Sequence, residues 1–106
     1  MMMTVMVVDD EYLVRRGIKE TIDWESYGFS IVCEAVNGID GYEKYLKFRP
    51  DIIITDVRMK RSTGLELIEK LRALTDVDSE IVIISAYDDF EYVKKALEHH
   101  VSAYIL

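Results

Sequence analysis

The sequence predicts an α/β fold in which a doubly wound, five-stranded parallel sheet carries helices on its faces. Three observations lead there. Short apolar runs rich in Val and Ile alternate with segments of helical period along all 106 residues. Several runs are apolar almost without a break, the pattern of strands covered on both faces. The acidic and hydroxyl residues with chemical potential fall just after such runs, where ligands bind in sheets of this kind.

The first strand is predicted over Thr4–Val8. Val14, Ile18 and Ile22 then recur at i, i+4 and i+8, so a first helix turns one apolar side to the sheet. Trp24 is expected to pack at the end of that helix rather than to bind a ligand. The second strand spans Ser30–Val36 and carries Cys33, the lone cysteine. With apolar neighbours, Cys33 reads as a buried, inert thiol. Asn37-Gly38 is a turn signal before a weaker helix from Ile39 to Phe48, whose apolar side is Tyr42, Tyr45 and Leu46. The third strand covers Asp51–Thr55. In the next helix Leu67, Leu71 and Leu74 repeat at i, i+4 and i+7, with Ile68 beside them. The fourth strand is Glu80–Ile84. Asp88 and Glu91 resemble a capping box for the last helix, and Phe90, Val93 and Leu97 form its apolar side. Lys94 and Lys95 fall on its solvated face. His99 and His100 end it; adjacent side chains diverge, so contact with the negative helix end is expected rather than joint metal binding. Ala103–Leu106 makes the fifth strand. The order β-α-β-α-β-α-β-α-β calls for right-handed crossovers in one domain.

Bulk properties narrow the function. Half the residues are hydrophobic and about a third charged, with a net charge of -7. An acidic surface repels a nucleic acid backbone, so DNA contact by this segment itself is disfavoured. A single cysteine rules out an internal disulfide. No apolar stretch approaches the ~20 residues of a membrane helix, and the start lacks the features of a signal peptide. A cytoplasmic location fits these facts.

The strand ends hold the chemistry. The first ends in Asp9-Asp10-Glu11, the third in Asp56 and the fourth in Ser85-Ala86. Parallel strands bring all three to one edge. Two carboxylates about 4 Å apart repel by roughly 4 kcal/mol at an effective dielectric near 20, and a hard cation relieves that. Mg²⁺ takes one or two carboxylates and keeps waters and phosphate oxygens in its other positions. Asp9 and Asp10 can equally form a solvated turn that starts the first helix, and Asp56 can be a turn residue. Beside Mg²⁺, however, Asp56 can act as a nucleophile toward phosphorus and become an aspartyl phosphate. Ser85 could donate a hydrogen bond to a phosphoryl oxygen, and the small Ala86 would leave the approach open.

Five segments together carry a resemblance: Val8-Asp9-Asp10-Glu11, Pro50 to Met59, Gly64-Leu65-Glu66-Leu67, Ile84-Ser85-Ala86-Tyr87 and Ala103-Tyr104-Ile105-Leu106. They resemble, in order and spacing along the whole chain, the receiver domains of two-component response regulators, which share a flavodoxin-like architecture. The resemblance implies that Asp56 is the phosphoacceptor and that Asp9 and Asp10 are the acidic pair that holds Mg²⁺. The backbone carbonyl of Arg58 would be a further ligand. Ser85 would be the switch hydroxyl and Tyr104 the switch aromatic. It implies a sensor histidine kinase as partner, transcription regulation through a downstream DNA-binding domain outside this chain, a homodimer formed on phosphorylation, and no enzymatic activity beyond the domain's own phosphoryl transfer and dephosphorylation. Thr21 to Phe29 and Ser85 to Tyr92 are most similar to receivers joined to AraC-type helix-turn-helix domains.

Two departures stand out. The family's usual Met-Pro after the acceptor is Met59-Lys60 here, so a softer loop is expected before Gly64. The family's Lys after the fifth strand would be the residue following Leu106, and a fifth helix would come after it. Residues 1–106 are therefore expected to be a receiver domain lacking its C-terminal part. The main alternative is a pseudo-receiver, never phosphorylated, that acts as an interaction module; the complete acid set argues against it. Phosphatases of the haloacid dehalogenase type carry the nucleophile on the first strand, and no phosphate loop suited to a flavin follows the first strand here.

Overall fold

The computed structural model describes residues 2–85 and 90–105, with the side chain of Phe90 excepted. Its elements follow the expected alternation: β1 (Met3–Val8), α1 (Tyr12–Thr21), a 3-10 turn (Trp24–Tyr27), β2 (Phe29–Ala35), α2 (Gly38–Phe48), β3 (Ile52–Thr55), α3 (Gly64–Arg72), β4 (Glu80–Ile84), α4 (Phe90–Glu98) and β5 (Ala103–Ile105). The five strands form one sheet in the order β2-β1-β3-β4-β5, and every pairing is parallel.

Successive side chains of a strand point to opposite faces, and β1 shows both. Met6 and Val8 join the larger core with Tyr45 of α2, Leu67, Ile68 and Leu71 of α3, and Ala96 of α4. Val5 and Val7 join a smaller cluster with Ile54, against which Ile18 of α1 and Trp24 pack. α2, α3 and α4 thus cover one face, and α1 with the 3-10 turn covers the other. Trp24 packs at the end of α1 as expected, its indole N–H donating to the carbonyl of Ile18 at 2.9 Å.

Local chemistry sets the helix starts. Asn37 caps α2 by accepting from the backbone N–H of Asp40 at 2.8 Å. Thr63 and Glu66 form a reciprocal capping box at the start of α3, satisfying donors that the first turn cannot pair. The capping box expected from Asp88, together with Ala86, Leu106 and the Phe90 side chain, lies outside the described residues.

Several expected burials are corrected. Leu46 is 44% exposed and Leu97 61%. Each follows by one residue, a turn of about 100°, a position that is wholly buried: Tyr45 in α2 and Ala96 in α4. Ile22 is exposed because α1 ends at Thr21 and Ile22 is already in extended backbone. Leu74 lies past the end of α3 yet still packs on the larger core. Cys33 is half-buried, since β2 is an edge strand. β4, read as covered on both faces, is fully buried on one and half-buried at Val82 and Ile84 on the other. Asp51 sits before β3 and Val36 after β2.

Among the described residues no helix is long and apolar enough to cross a membrane.

Candidate functional site

The strand order determines where a pocket can open. β1 leads through α1 to β2 on one side, and the chain then passes back to β3 on the other. Ligands bind outside the carboxyl ends of strands at such a reversal. The ladder carries the acids to that place. The N–H of Asp9 donates to the Ala35 carbonyl at 3.0 Å, and that of Asp56 donates to Val8 at 3.1 Å. On the next strand the N–H of Ser85 donates to Ile105 at 2.9 Å.

Asp9, Asp10, Asp56 and Ser85 therefore line one pocket, together with Glu11, Val14, Arg58 and Ile84. One carboxylate oxygen from each of the three aspartates lies within 4.8 Å of the others. Asp9 and Ser85 are buried, while Asp10 and Asp56 are half-buried. The solvated-turn reading fails for Asp9, which is 6% exposed. Its carboxylate does serve the start of α1, accepting from the N–H of Glu11 at 2.9 Å. Asp10 accepts from the N–H of Lys60 at 3.1 Å, which ties the loop after β3 to the loop after β1. Asp56 accepts from Val57 at 2.7 Å, from the N–H of Arg58 and from the side chain of Ser85.

Burial pushes the Asp9 carboxyl up to about 6; the Glu11 N–H opposes this, and the charges of Asp56 and Asp10 add to it. Burial also raises Asp56, against the pull of the Val57 and Arg58 N–H groups and of Ser85, with Asp10 again adding repulsion. Three mutually repelling, partly desolvated carboxylates make a set of hard oxygen donors that favours a divalent cation such as Mg²⁺. The residues present fit that ion.

A glycine is required beside the site. A Cβ on Gly64 would lie 1.9 Å from the carbonyl oxygen of Asp56, and the Gly64 N–H donates to Val57 at 2.8 Å. The start of α3 is thereby packed directly against the end of β3. With Lys60 where a proline was expected, the loop between them keeps that glycine and gains the tie to Asp10.

The other expected site residues are placed as follows. The guanidinium of exposed Arg58 lies 5.3 Å from the ring centre of Tyr92 on α4. Tyr104 is half-buried on the α4 side of the sheet, packed against the larger core and outside the acid pocket. Its register partner is Ile83, two residues before Ser85. Besides the tie of Lys60 to Asp10, a second contact was not foreseen: Arg15 donates from Nη1 to the carbonyl oxygen of Asp9 at 2.7 Å. Nothing in the local pattern marks it, because its other partner, Glu34, stands on β2, 19 residues away.

The family model for the response regulator receiver domain matches residues 5–106. A response regulatory protein of Staphylococcus epidermidis is 39% identical over 105 residues, which cover 99% of this chain and 41% of that protein. The transcriptional regulatory protein HptR of Staphylococcus aureus is 37% identical over 105 residues, covering 99% and 40%. The chain thus spans about two fifths of the length of these curated relatives. Among solved structures, the REC domain of AraT, a response regulator from Geobacillus stearothermophilus, superposes with a TM-score of 0.89 at 33% identity, covering all of this chain and 81% of that one.

Proposed function

The chain belongs to the response regulator receiver domain family, and on that premise we propose that it accepts a phosphoryl group from a sensor histidine kinase onto Asp56. The observation that carries this is the convergence of three carboxylates within 4.8 Å at the carboxyl edge of the sheet, with Ser85 hydrogen-bonded to Asp56.

A Mg²⁺ held by Asp10 and Asp56, with Asp9 nearby and the Arg58 carbonyl as a further ligand, would supply positive charge against the carboxylates and the incoming phosphoryl oxygens. Asp56 is the nucleophile. Its carboxylate oxygen forms a bond to phosphorus as the P–N bond of the donor phosphohistidine breaks, and the electron pair returns to the imidazole. The N–H groups of Val57 and Arg58 hold the carboxylate in place through hydrogen bonds. Ser85 turns its hydroxyl from the carboxylate to a phosphoryl oxygen. Tyr104, on the strand beside Ser85, follows inward, and the face built from α4 and β5 changes. A swing between 1:99 and 99:1 in such an equilibrium needs ~5.5 kcal/mol of differential stabilisation.

In the cell the reading is of a cytoplasmic switch. Its output is transcription regulation through a DNA-binding domain outside this chain, with dimerisation on phosphorylation. The regulatory relatives and the acidic charge of this segment support that division of labour.

Incubation with Mg²⁺ and a small phosphodonor, read by intact mass, tests the proposal. The expected result is one added phosphate, absent without Mg²⁺ and absent in Asp56→Asn. No adduct under any condition would favour the pseudo-receiver, an interaction module without phosphoryl chemistry.

A further inference from the structure

We infer that Arg15 is a positioning residue for the acid pair, fixing the peptide between Asp9 and Asp10 and so the aim of the Asp10 carboxylate. Arg15 stands in the first turn of α1, and its side chain is 12% exposed. Its guanidinium makes two different bonds. Nη1 donates to the backbone carbonyl of Asp9 at 2.7 Å. Nε donates to Oε1 of Glu34 on β2 at 3.1 Å. The other oxygen of Glu34 accepts from Lys19 at 2.8 Å. A planar, always charged fork is thus braced on β2 and reaches over to the loop that follows β1.

The brace matters because of what else holds Asp9. The N–H of Asp9 is bonded to Ala35, and its carboxylate accepts from Glu11. Its carbonyl is the remaining backbone group, and Arg15 takes it. The peptide bond is planar, so turning that carbonyl turns the N–H of Asp10 with it. Fixing the carbonyl therefore fixes the direction in which Asp10 leaves the strand. The contrast with Arg16 is instructive. Arg16 pairs with Glu20 one helical turn away, at 55% and 64% exposure, and pairs of that kind contribute little.

This inference rests on the reading that the acids hold a divalent cation, and charge alone makes the opposite prediction. Removing a cation near a metal site should tighten metal binding. Removing a positioning residue should weaken it, and partners just outside the ligand shell typically contribute 10–100-fold to affinity.

Mg²⁺ is titrated by calorimetry into the wild type, Arg15→Ala, Arg15→Lys, Glu34→Gln and Asp56→Asn, each first shown folded by near-UV circular dichroism. Arg15→Ala should bind Mg²⁺ about 10-fold or more weakly. Arg15→Lys, which keeps the charge but cannot span both partners, should also weaken binding and serves if the alanine variant does not fold. Glu34→Gln, which keeps an acceptor for Nε, should stay within about twofold of wild type, since Arg15 retains both bonds. Unchanged or tighter binding in the Arg15 variants would overturn the role, as would a loss in Glu34→Gln equal to that in Arg15→Ala. Failure of the wild type to bind Mg²⁺ any better than Asp56→Asn would remove the cation reading itself, and the role of Arg15 with it.

Discussion

Asp9 and Asp56 carry the tension of the site. Both carboxyls are raised above their ordinary range, chiefly by burial, Asp9 to about 6. In the unfolded chain such groups lose their protons near pH 4. Between about pH 4 and pH 6 these two carboxyls therefore hold more protons in the folded, metal-free protein than in the unfolded chain, and their contribution to stability falls as pH rises through that window. Urea unfolding of the metal-free chain across that range should show the decline, and Asp9→Asn should flatten it and raise stability at neutral pH. An Asp9→Asn variant with the same pH dependence as the wild type would contradict the assignment. Gly64 acts at the same scale. In Gly64→Ala a methyl would collide with the Asp56 carbonyl, so α3 and β3 must separate. Overpacking of this kind costs about 1–3 kcal/mol, and the displaced Asp56 should lose most of its phosphate uptake, measured by intact mass beside a denaturation curve.

The elements hold these residues in place through caps and a stripe of leucines. Thr63→Ala removes one half of the α3 capping box and should lower stability by about 1 kcal/mol. Leu71 is fully buried between α3 and the sheet, and Leu71→Ala should cost about 2–5 kcal/mol; chemical denaturation reads both. The strands were legible because β-branched runs such as Ile52-Ile53-Ile54 have few alternatives to a covered strand. The helices were legible as helices, but in α2 the expected Tyr45 is buried while Leu46 is exposed, and in α4 the buried line is displaced by one residue, to Ala96 from Leu97. Periodicity counts apolar side chains without knowing from which side the sheet approaches, and it undervalues a small residue such as Ala96. Thr63 and Glu66 have the Thr-x-x-Glu spacing of a capping box, a signal that could have marked the start of α3 in the sequence.

For the molecule as a whole, the site is a product of topology. Asp9, Asp10, Asp56 and Ser85 meet because parallel strands end on one edge, and that much could be read from their places after apolar runs. The tie of Lys60 to Asp10 could not, since it joins segments far apart in sequence through a backbone N–H, and neither could that of Arg15 to Asp9, which ends on a backbone carbonyl without a side-chain signature. The same topology couples the site to global stability. Mg²⁺ at 100 times its dissociation constant should stabilise the fold by about 2.7 kcal/mol, an increment read by thermal unfolding. The increment should shrink sharply in Asp10→Asn, and an equal one in that variant would place the ion elsewhere. The central claim is that Asp56 itself takes the phosphoryl group, and trapping the product tests it most directly. After reaction with a phosphodonor and Mg²⁺, borohydride reduction converts an aspartyl phosphate to homoserine, and peptide sequencing by mass spectrometry locates it. Homoserine at position 56 alone is the predicted result; homoserine at another aspartate, or none in a chain that has gained phosphate, would contradict it.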